Sequence, residues 1–401
     1  MLNSKALRNT LFALLLLGYA YYCYRYVIAT SFSIEDTTFH VLFDDAMISM
    51  RYAYNLAHGL GPVWNAGERV EGFTNPLWVG IMALVHLFPV ELNQTGLYIQ
   101  IFGAVLLILN LFFVRKIVEH FTDNIFVMLA AVALTAFYAP LISFSLLGME
   151  VSLLVLMLSA AVWLILRSDV KFNPWVYVLM AVSTLVRFDM AVPYLVILGV
   201  LYITQKENRK LHLIWGLGLL VLFLGGQTLG RYLYYGELLP NTYYLKVEGW
   251  NNTLRLMRGA YALFQFAYFH NWVLFLLPLS VYIFRRDWKV NLLVLLFTGQ
   301  IAYSVYVGGD AWEHHGGANR YILVAIQCYF VLFSYSSFKV INVFVENLFK
   351  HFRAIQPKNL LTIAQRSVFL FFFALSLLTF NALIGEWKSI ERWSFNRKPD
   401  F

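Results

Sequence analysis

The sequence predicts an all-α polytopic membrane protein, and three observations carry that prediction. Of the 401 residues, 60% are hydrophobic, 18% aromatic and only 13% charged, and the mean hydropathy is +0.65. A soluble domain lacks the interior to hide that much apolar side chain. Apolar runs of about 17 to 25 residues recur along the chain, the length of a bilayer-crossing helix. Lysine and arginine cluster between the runs, as they do in cytoplasmic loops.

The elements follow in order. Lys5 and Arg8 precede an apolar run over 11–29. It lacks a small-residue cleavage site and many spans follow, so it reads as an uncleaved first span rather than a signal peptide. Five basic clusters then fix the cytoplasmic side: Arg115 with Lys116, Arg167 with Lys171, Lys206 with Arg209 and Lys210, Arg285 with Arg286 and Lys289, and the segment 339–366. With the N-terminus inside, residues 31–95 form a first periplasmic loop, and the run 96–114 returns the chain to Arg115. Residues 76–88 are short and bounded by Pro76 and Pro89, so they form a re-entrant or interfacial helix. Spans over 125–141, 151–166, 174–186, 191–204, 212–230, 262–284, 290–307, 321–338 and 367–385 then alternate. The total is about eleven, each of bilayer-crossing character. Residues 339–365 should form a cytoplasmic amphipathic helix whose basic side meets anionic head groups. The chain reads as one transmembrane domain over 1–386 with a short tail over 387–401 and no soluble domain after the last span. The basic tail, with Lys388, Arg392, Arg397 and Lys398, would lie outside, against the charge rule.

The net charge of +8 does not point to nucleic acid, because its placement follows the membrane pattern. Cys23 and Cys328 both fall inside spans, which argues against a disulfide framework or a cysteine metal site.

Residues 43–80, FDDAMISMRYAYNLAHGLGPVWNAGERVEGFTNPLWVG, are dense in both charge and turn residues. At 100° per residue Asp44, Arg51, Asn55 and His58 share one helix face, while Ala46, Met50, Ala53 and Ala57 lie opposite. Asp44 and Asp45 stand in the first turn, where the helix dipole favours negative charge. Gly59, Gly61 and Pro62 end the helix, and turn chemistry with Glu68, Arg69 and Glu71 follows. An acidic cap on an interfacial helix is the plain reading of this segment, and a reactive site the other.

The connections on the same outer side are SFSLLGME (143–150), RFD (187–189), 231–259 with RYLYYGELLPNTYYLKVEG, and GGDAWEHHGGANR (308–320). Charged residues at a membrane boundary are costly unless paired or used. Carboxylates mixed with arginine, lysine and histidine suit a substrate anionic at one end and rich in hydroxyls at the other, such as a lipid-linked phosphosugar. For sugar transfer from phosphate, one carboxylate suffices as general base, because phosphate leaves without a proton. Asp44 and Asp45 are the candidate bases, and arginine or lysine would take up the leaving charge.

The candidate substrate contacts are Arg51, His58, Arg69, Glu71, Arg187, Lys246, Asp310, His314 and Arg320. Each has a structural alternative. Arg320 opens a span and can snorkel, Arg187 and Asp189 can neutralise each other, and Glu68, Arg69 and Glu71 can staple their loop. Lys246 lies beside Tyr243 and Tyr244, whose rings suit sugar stacking. His314 and His315 are adjacent, so their side chains diverge and joint metal ligation is disfavoured. Asp310 with Glu313 offers too few oxygens for a hard cation. The reading carries no metal and no cofactor.

The segment DDAMISMRYAYNLAHGLGPVWNAGERVEGFTNPLW resembles the first outer loop of C-type (GT-C) glycosyltransferases, specifically the group with mycobacterial terminal arabinofuranosyltransferases and the type IV pilin arabinosyltransferase. LLGME, RFDM, YYGELLPNTYYLK and GGDAW with NRY resemble later motifs of that group in the same order, from Asp44 to Arg320. The resemblance implies a GT-C-like bundle, a polyprenyl-phosphate donor, an inverting transfer outside the cytoplasmic (inner) membrane, and a catalytic aspartate at Asp44 or Asp45. The sugar it implies is D-arabinofuranose. The chain lacks the mycobacterial enzymes' large C-terminal carbohydrate-binding domain, which favours a periplasmic acceptor such as pilin Ser/Thr over lipopolysaccharide or another surface polysaccharide. A transporter or flippase is the alternative of a different class, but its sites belong near the midplane between repeated halves. A non-enzymatic scaffold gives no reason for outer loops so rich in ionisable residues.

Overall fold

The apolar runs fold as helices throughout the described residues, which in this computed structural model are 5–244, 251–310, 318–351 and 358–381. They are α1 (Lys5–Ala29), α2 (Asp44–Ala57), α3 (Pro76–Val85), α4 (Thr95–Phe121), α5 (Ile125–Ala136), α6 (Ala139–Leu146), α7 (Val151–Ser168), α8 (Pro174–Val186), α9 (Ala191–Thr204) and α10 (Arg209–Tyr235). After them come α11 (Asn252–Phe269), α12 (Trp272–Phe284), α13 (Trp288–Val307), α14 (Arg320–Leu323), α15 (Ile326–His351) and α16 (Lys358–Phe380). Side-chain oxygens of Asn124, Asn173, Asn251, Asp287 and Asn319 accept first-turn N–H groups and set several helix starts. Gly236 and Gly308, both left-handed, end α10 and α13.

Among the described residues, seven helices are long and apolar enough to cross a membrane, or up to nine if each bent pair is one span. The bent pairs are α5 with α6, at 47°, and α11 with α12, at 103°. α8 and α9 have 13 and 14 residues and are shorter than a perpendicular crossing requires. The bends and short helices fall in the order of the predicted spans. The predicted continuous helix over 262–284 is corrected to a sharp break. Asn271 adopts φ 62° there, a conformation asparagine tolerates, and caps α12 through the Val273 N–H. Buried His270 is held by the Tyr138 hydroxyl at 2.9 Å and the Phe266 carbonyl at 2.8 Å.

The first outer loop opens with a hairpin that the all-α reading did not include. β1 (Ser31–Ile34) pairs antiparallel with β2 (Thr37–His40), Ser31 opposite His40, and Phe32 stacks on Phe39 at 5.5 Å. Its turn carries Glu35 at φ 51°, without the Asn-Gly or Asp-Gly signature that marks such turns in sequence.

α2 is amphipathic, with one correction. Asn55 is buried, not on the exposed face, because its Nδ2 donates to the Val63 and Trp64 carbonyls. α3, with ten residues, is about 15 Å long and does not cross a bilayer. It buries Trp78, Val79 and Met82 in the core. The segment 339–365 is not a separate surface helix. Its first part continues α15 to His351, its last part belongs to α16, and 352–357 lie outside the described residues. Its apolar side is used between helices, where Ile341 and Val345 cluster with Phe369 and Ala130.

Two close approaches set the spacing of elements, α4 against β2 and α11 against α13. A Cβ on Gly96 would fall 2.2 Å from the His40 carbonyl oxygen, and one on Gly259 would fall 2.2 Å from that of Val305.

Candidate active site

Asp44 and Asp45 open α2 because the preceding residue is anchored. The Phe43 N–H donates to the Leu147 carbonyl at 2.9 Å, and the Phe43 ring meets Phe144 at 5.5 Å. The LLGME connection turns at Gly148, whose φ of 89° only glycine adopts readily, and the Trp78 indole donates to its carbonyl. The start of α2, α3 and the start of α7 are thereby fastened together, and Glu150 stands at the N-cap of α7.

Asp45 Oδ2 pairs with Arg320 Nη1 at 3.0 Å, and Arg320 also pairs with Asp310, Nε to Oδ2 at 2.8 Å. Arg320 begins α14, where Asn319 caps the helix and donates to Ser304 Oγ at 2.9 Å. Arg258 donates to the Gly308 and Asp310 carbonyls and fixes the Asp310 turn. A second guanidinium lies in the adjoining network. Arg187 Nη1 pairs with Glu150 Oε1 at 2.8 Å and its Nε with Asp189 Oδ1 at 2.8 Å. Its face covers the Tyr321 ring at 5.0 Å. Asn75 donates to Glu150 Oε2 at 2.9 Å and accepts from Ser49 Oγ at 3.1 Å, which ties this network back to α2.

Phe43, Asp44, Asp45, Phe144, Met149, Asp310 and Arg320 line a small open recess. The Glu150 and Asp310 side chains are each 2% exposed, whereas that of Asp45 is 40% exposed. The two first-turn aspartates are therefore the carboxylates a substrate can reach. Asp44 Oδ1 accepts the Asp45 N–H and forms no ion pair among the described residues. Burial would push the Glu150 carboxyl up, but Arg187, and after it Arg320, hold it below the ordinary carboxylate range.

Of the predicted contacts, Arg187, Asp310 and Arg320 converge with Asp44 and Asp45. Arg51 and His58 do not join them. Both are exposed, Arg51 donating to the Trp64 carbonyl and His58 stacking on Tyr54 at 4.1 Å. Glu71 forms a buried ion pair with Arg231, and Arg69 covers the Tyr234 ring at 4.8 Å. With the Tyr235 hydroxyl donating to the Pro62 carbonyl, these contacts clamp the GERVEG loop onto α10. Lys246 and His314 lie outside the described residues. Glu150 and Asn75 were not among the predicted contacts. The signal for Glu150 was its place between two apolar runs, and that for Asn75 its place in the FTNPLW end of the resembling segment.

Five carboxylates, Asp44, Asp45, Glu150, Asp189 and Asp310, stand around two guanidinia in this network. An anion approaching either arginine would therefore have to displace a carboxylate. Among the described residues, no group of three or more His, Cys, Asp or Glu side chains is close enough to hold a metal ion.

No protein-family model matches the chain. No curated protein matches it in sequence. Its fold is similar to that of ArnT from Cupriavidus metallidurans in two crystal structures. One, in the apo state, has 12% identity and a TM-score of 0.55, with 96% of this chain and 73% of that chain covered. The other, bound to undecaprenyl phosphate, has 12% identity and a TM-score of 0.54, with 97% and 73% covered. The likeness is one of fold, a multi-pass α-helical membrane bundle.

Proposed function

We propose that the chain is a membrane glycosyltransferase that moves a sugar from a polyprenyl-phosphate donor to an acceptor on the periplasmic side of the inner membrane. One observation carries the reading. A reachable aspartate pair lies against a buried arginine at one end of a bundle whose fold is shared with a protein bound to undecaprenyl phosphate.

In this mechanism Asp44, whose oxygens form no ion pair among the described residues, takes the proton of the acceptor hydroxyl. The acceptor oxygen bonds to the anomeric carbon as the bond from that carbon to the donor phosphate oxygen breaks, with inversion. Polyprenyl phosphate leaves with the bonding pair and needs no proton, so no second carboxylic acid is required. Arg320 exchanges Asp45 for the phosphate and stabilises its growing charge. Asp310 keeps the guanidinium in place, and Arg187, paired with Glu150 and Asp189, holds the adjoining network in position. No metal takes part. The motif resemblance supports D-arabinofuranose as the sugar and type IV pilin Ser/Thr as the acceptor.

The test is the mass of pilin from cells carrying the wild-type chain, Asp44→Asn or Asp45→Asn, with release of polyprenyl phosphate from labelled donor measured on the purified proteins. Asp44→Asn should lower transfer by roughly 10²- to 10⁴-fold, the usual contribution of a general base. Full transfer by both variants would sink the reading. Transfer without a pentose on pilin would keep the reaction class and reassign the acceptor.

A further inference from the structure

A second recess lies at the other end of the bundle, about 250 Å³ in volume and lined by Lys116, Glu119, His120, Trp163, Leu166 and Arg167. α7 links the two sites, with Glu150 at its N-cap position and Arg167 in its last turn. Its 18 residues make about 27 Å at 1.5 Å per residue, close to the ~30 Å hydrocarbon core of a bilayer. The second recess thus opens at the opposite membrane interface.

Its charge is unbalanced. Glu119 is the one carboxylate in the lining, and three cations share it: Arg8 at 2.6 Å, Arg115 at 2.8 Å and Lys116 at 3.0 Å. Lys289 contacts His120 Nε2 at 2.9 Å and pairs outward with Asp169. Arg167 lies over the Trp163 ring at 5.2 Å and forms no ion pair among the described residues. Leu109 and Phe112, 44% and 46% exposed, precede Lys116 by two turns and one turn on the same face of α4. They form an apolar strip that runs from the recess toward the membrane interior. Trp163 supplies the aromatic ring that favours this depth.

We propose that this recess binds the phosphodiester head group of an acidic glycerophospholipid in the adjoining leaflet. Lys116 and Arg167 hold the phosphate oxygens, Arg167 through its two-pronged guanidinium, and an acyl chain follows Leu109 and Phe112. The charge selects an anionic group, and the strip selects one that carries a chain. The binding does not depend on the transfer reaction.

The experiment is native mass spectrometry of the full chain in detergent, titrated with phosphatidylglycerol, phosphatidylethanolamine of the same acyl chains, or glycerol 1-phosphate. The wild type should retain one phosphatidylglycerol about tenfold more strongly than phosphatidylethanolamine and should not retain glycerol 1-phosphate. The double variant Lys116→Ala with Arg167→Ala should lose that preference, while Lys210→Ala, an exposed basic side chain elsewhere, should keep it. Leu109→Ser with Phe112→Ser should weaken retention with both basic residues intact. Equal retention of the two lipids by the wild type, or an unchanged preference in the double variant, would overturn the proposal. Retention of glycerol 1-phosphate as strong as that of the lipid would assign the recess to a soluble phosphate and also overturn it.

Discussion

Glu150 is buried between Arg187 and Asn75, and its carboxyl is held below the ordinary range because Arg187, and after it Arg320, outweigh the cost of burial. The unfolded chain therefore takes up the proton first. Glu150 contributes stability above its unfolded pKa of about 4.3, and that contribution is lost as pH falls through the lower native value. Glu150→Gln should lower stability by about 3 kcal/mol at neutral pH, the scale for breaking a buried ion pair. Thermal unfolding in detergent should show the gap between wild type and variant closing below about pH 4.3; a gap that stays constant to pH 3 would refute the assignment. The contrast with Asp44 is one of exposure. A carboxylate fixed by an inward arginine holds the site together, whereas Asp44, which forms no ion pair among the described residues, is the one proposed as the base.

At the scale of elements, α11 and α13 meet at Gly259. A Cβ there would fall 2.2 Å from the Val305 carbonyl oxygen, and a backbone oxygen cannot swing aside as a side chain would. Gly259→Ala should cost about 1 to 3 kcal/mol through overpacking. Because Arg258 holds the Asp310 turn from the same helix, it should also raise the KM for the proposed donor. Gly218→Ala is the control. No atom lies within 4 Å of a Cβ at Gly218, so its melting temperature should stay level or rise, as alanine favours a helix over glycine. Equal melting temperatures for all three proteins would show that the close approach is not needed. The GERVEG loop carries a related lesson. Arg69 and Glu71 look like substrate contacts in the sequence, yet α10 supplies Tyr234 and Arg231 to receive them.

At the scale of the molecule, the basic connections gather at one end of the bundle. Lys289 pairs with Asp169 and contacts His120, Gln205 donates to the Asp169 carbonyl, and Arg8 pairs with Glu119. We infer that this end faces the cytoplasm. Cys23 and Cys328 are buried, so single introduced cysteines can report sidedness. Thr37→Cys should react with a membrane-impermeant thiol reagent in intact spheroplasts, and Lys171→Cys only after permeabilisation. The reverse pattern would invert the topology and move the aspartate pair to the cytoplasmic side.

The sequence by itself determined the membrane class, the order of apolar segments, the gathering of basic connections, and the aspartate pair at the start of α2. Those features follow from composition, period and charge, which act over one or two helical turns. Only the tertiary structure decided which charged residues meet. Arg320 reaches Asp45 across 275 positions of chain and Arg187 reaches Glu150 across 37, and no local pattern encodes a pairing at those separations. The same reason hid the burial of Asn55, whose partners are two loop carbonyls, and the break at Asn271, whose neighbour His270 is held by Tyr138 from the turn between α5 and α6. Apolar stripes at helical period look alike whether they meet lipid or another helix. That is why 339–365 read as a surface helix until Ile341 and Val345 met Phe369.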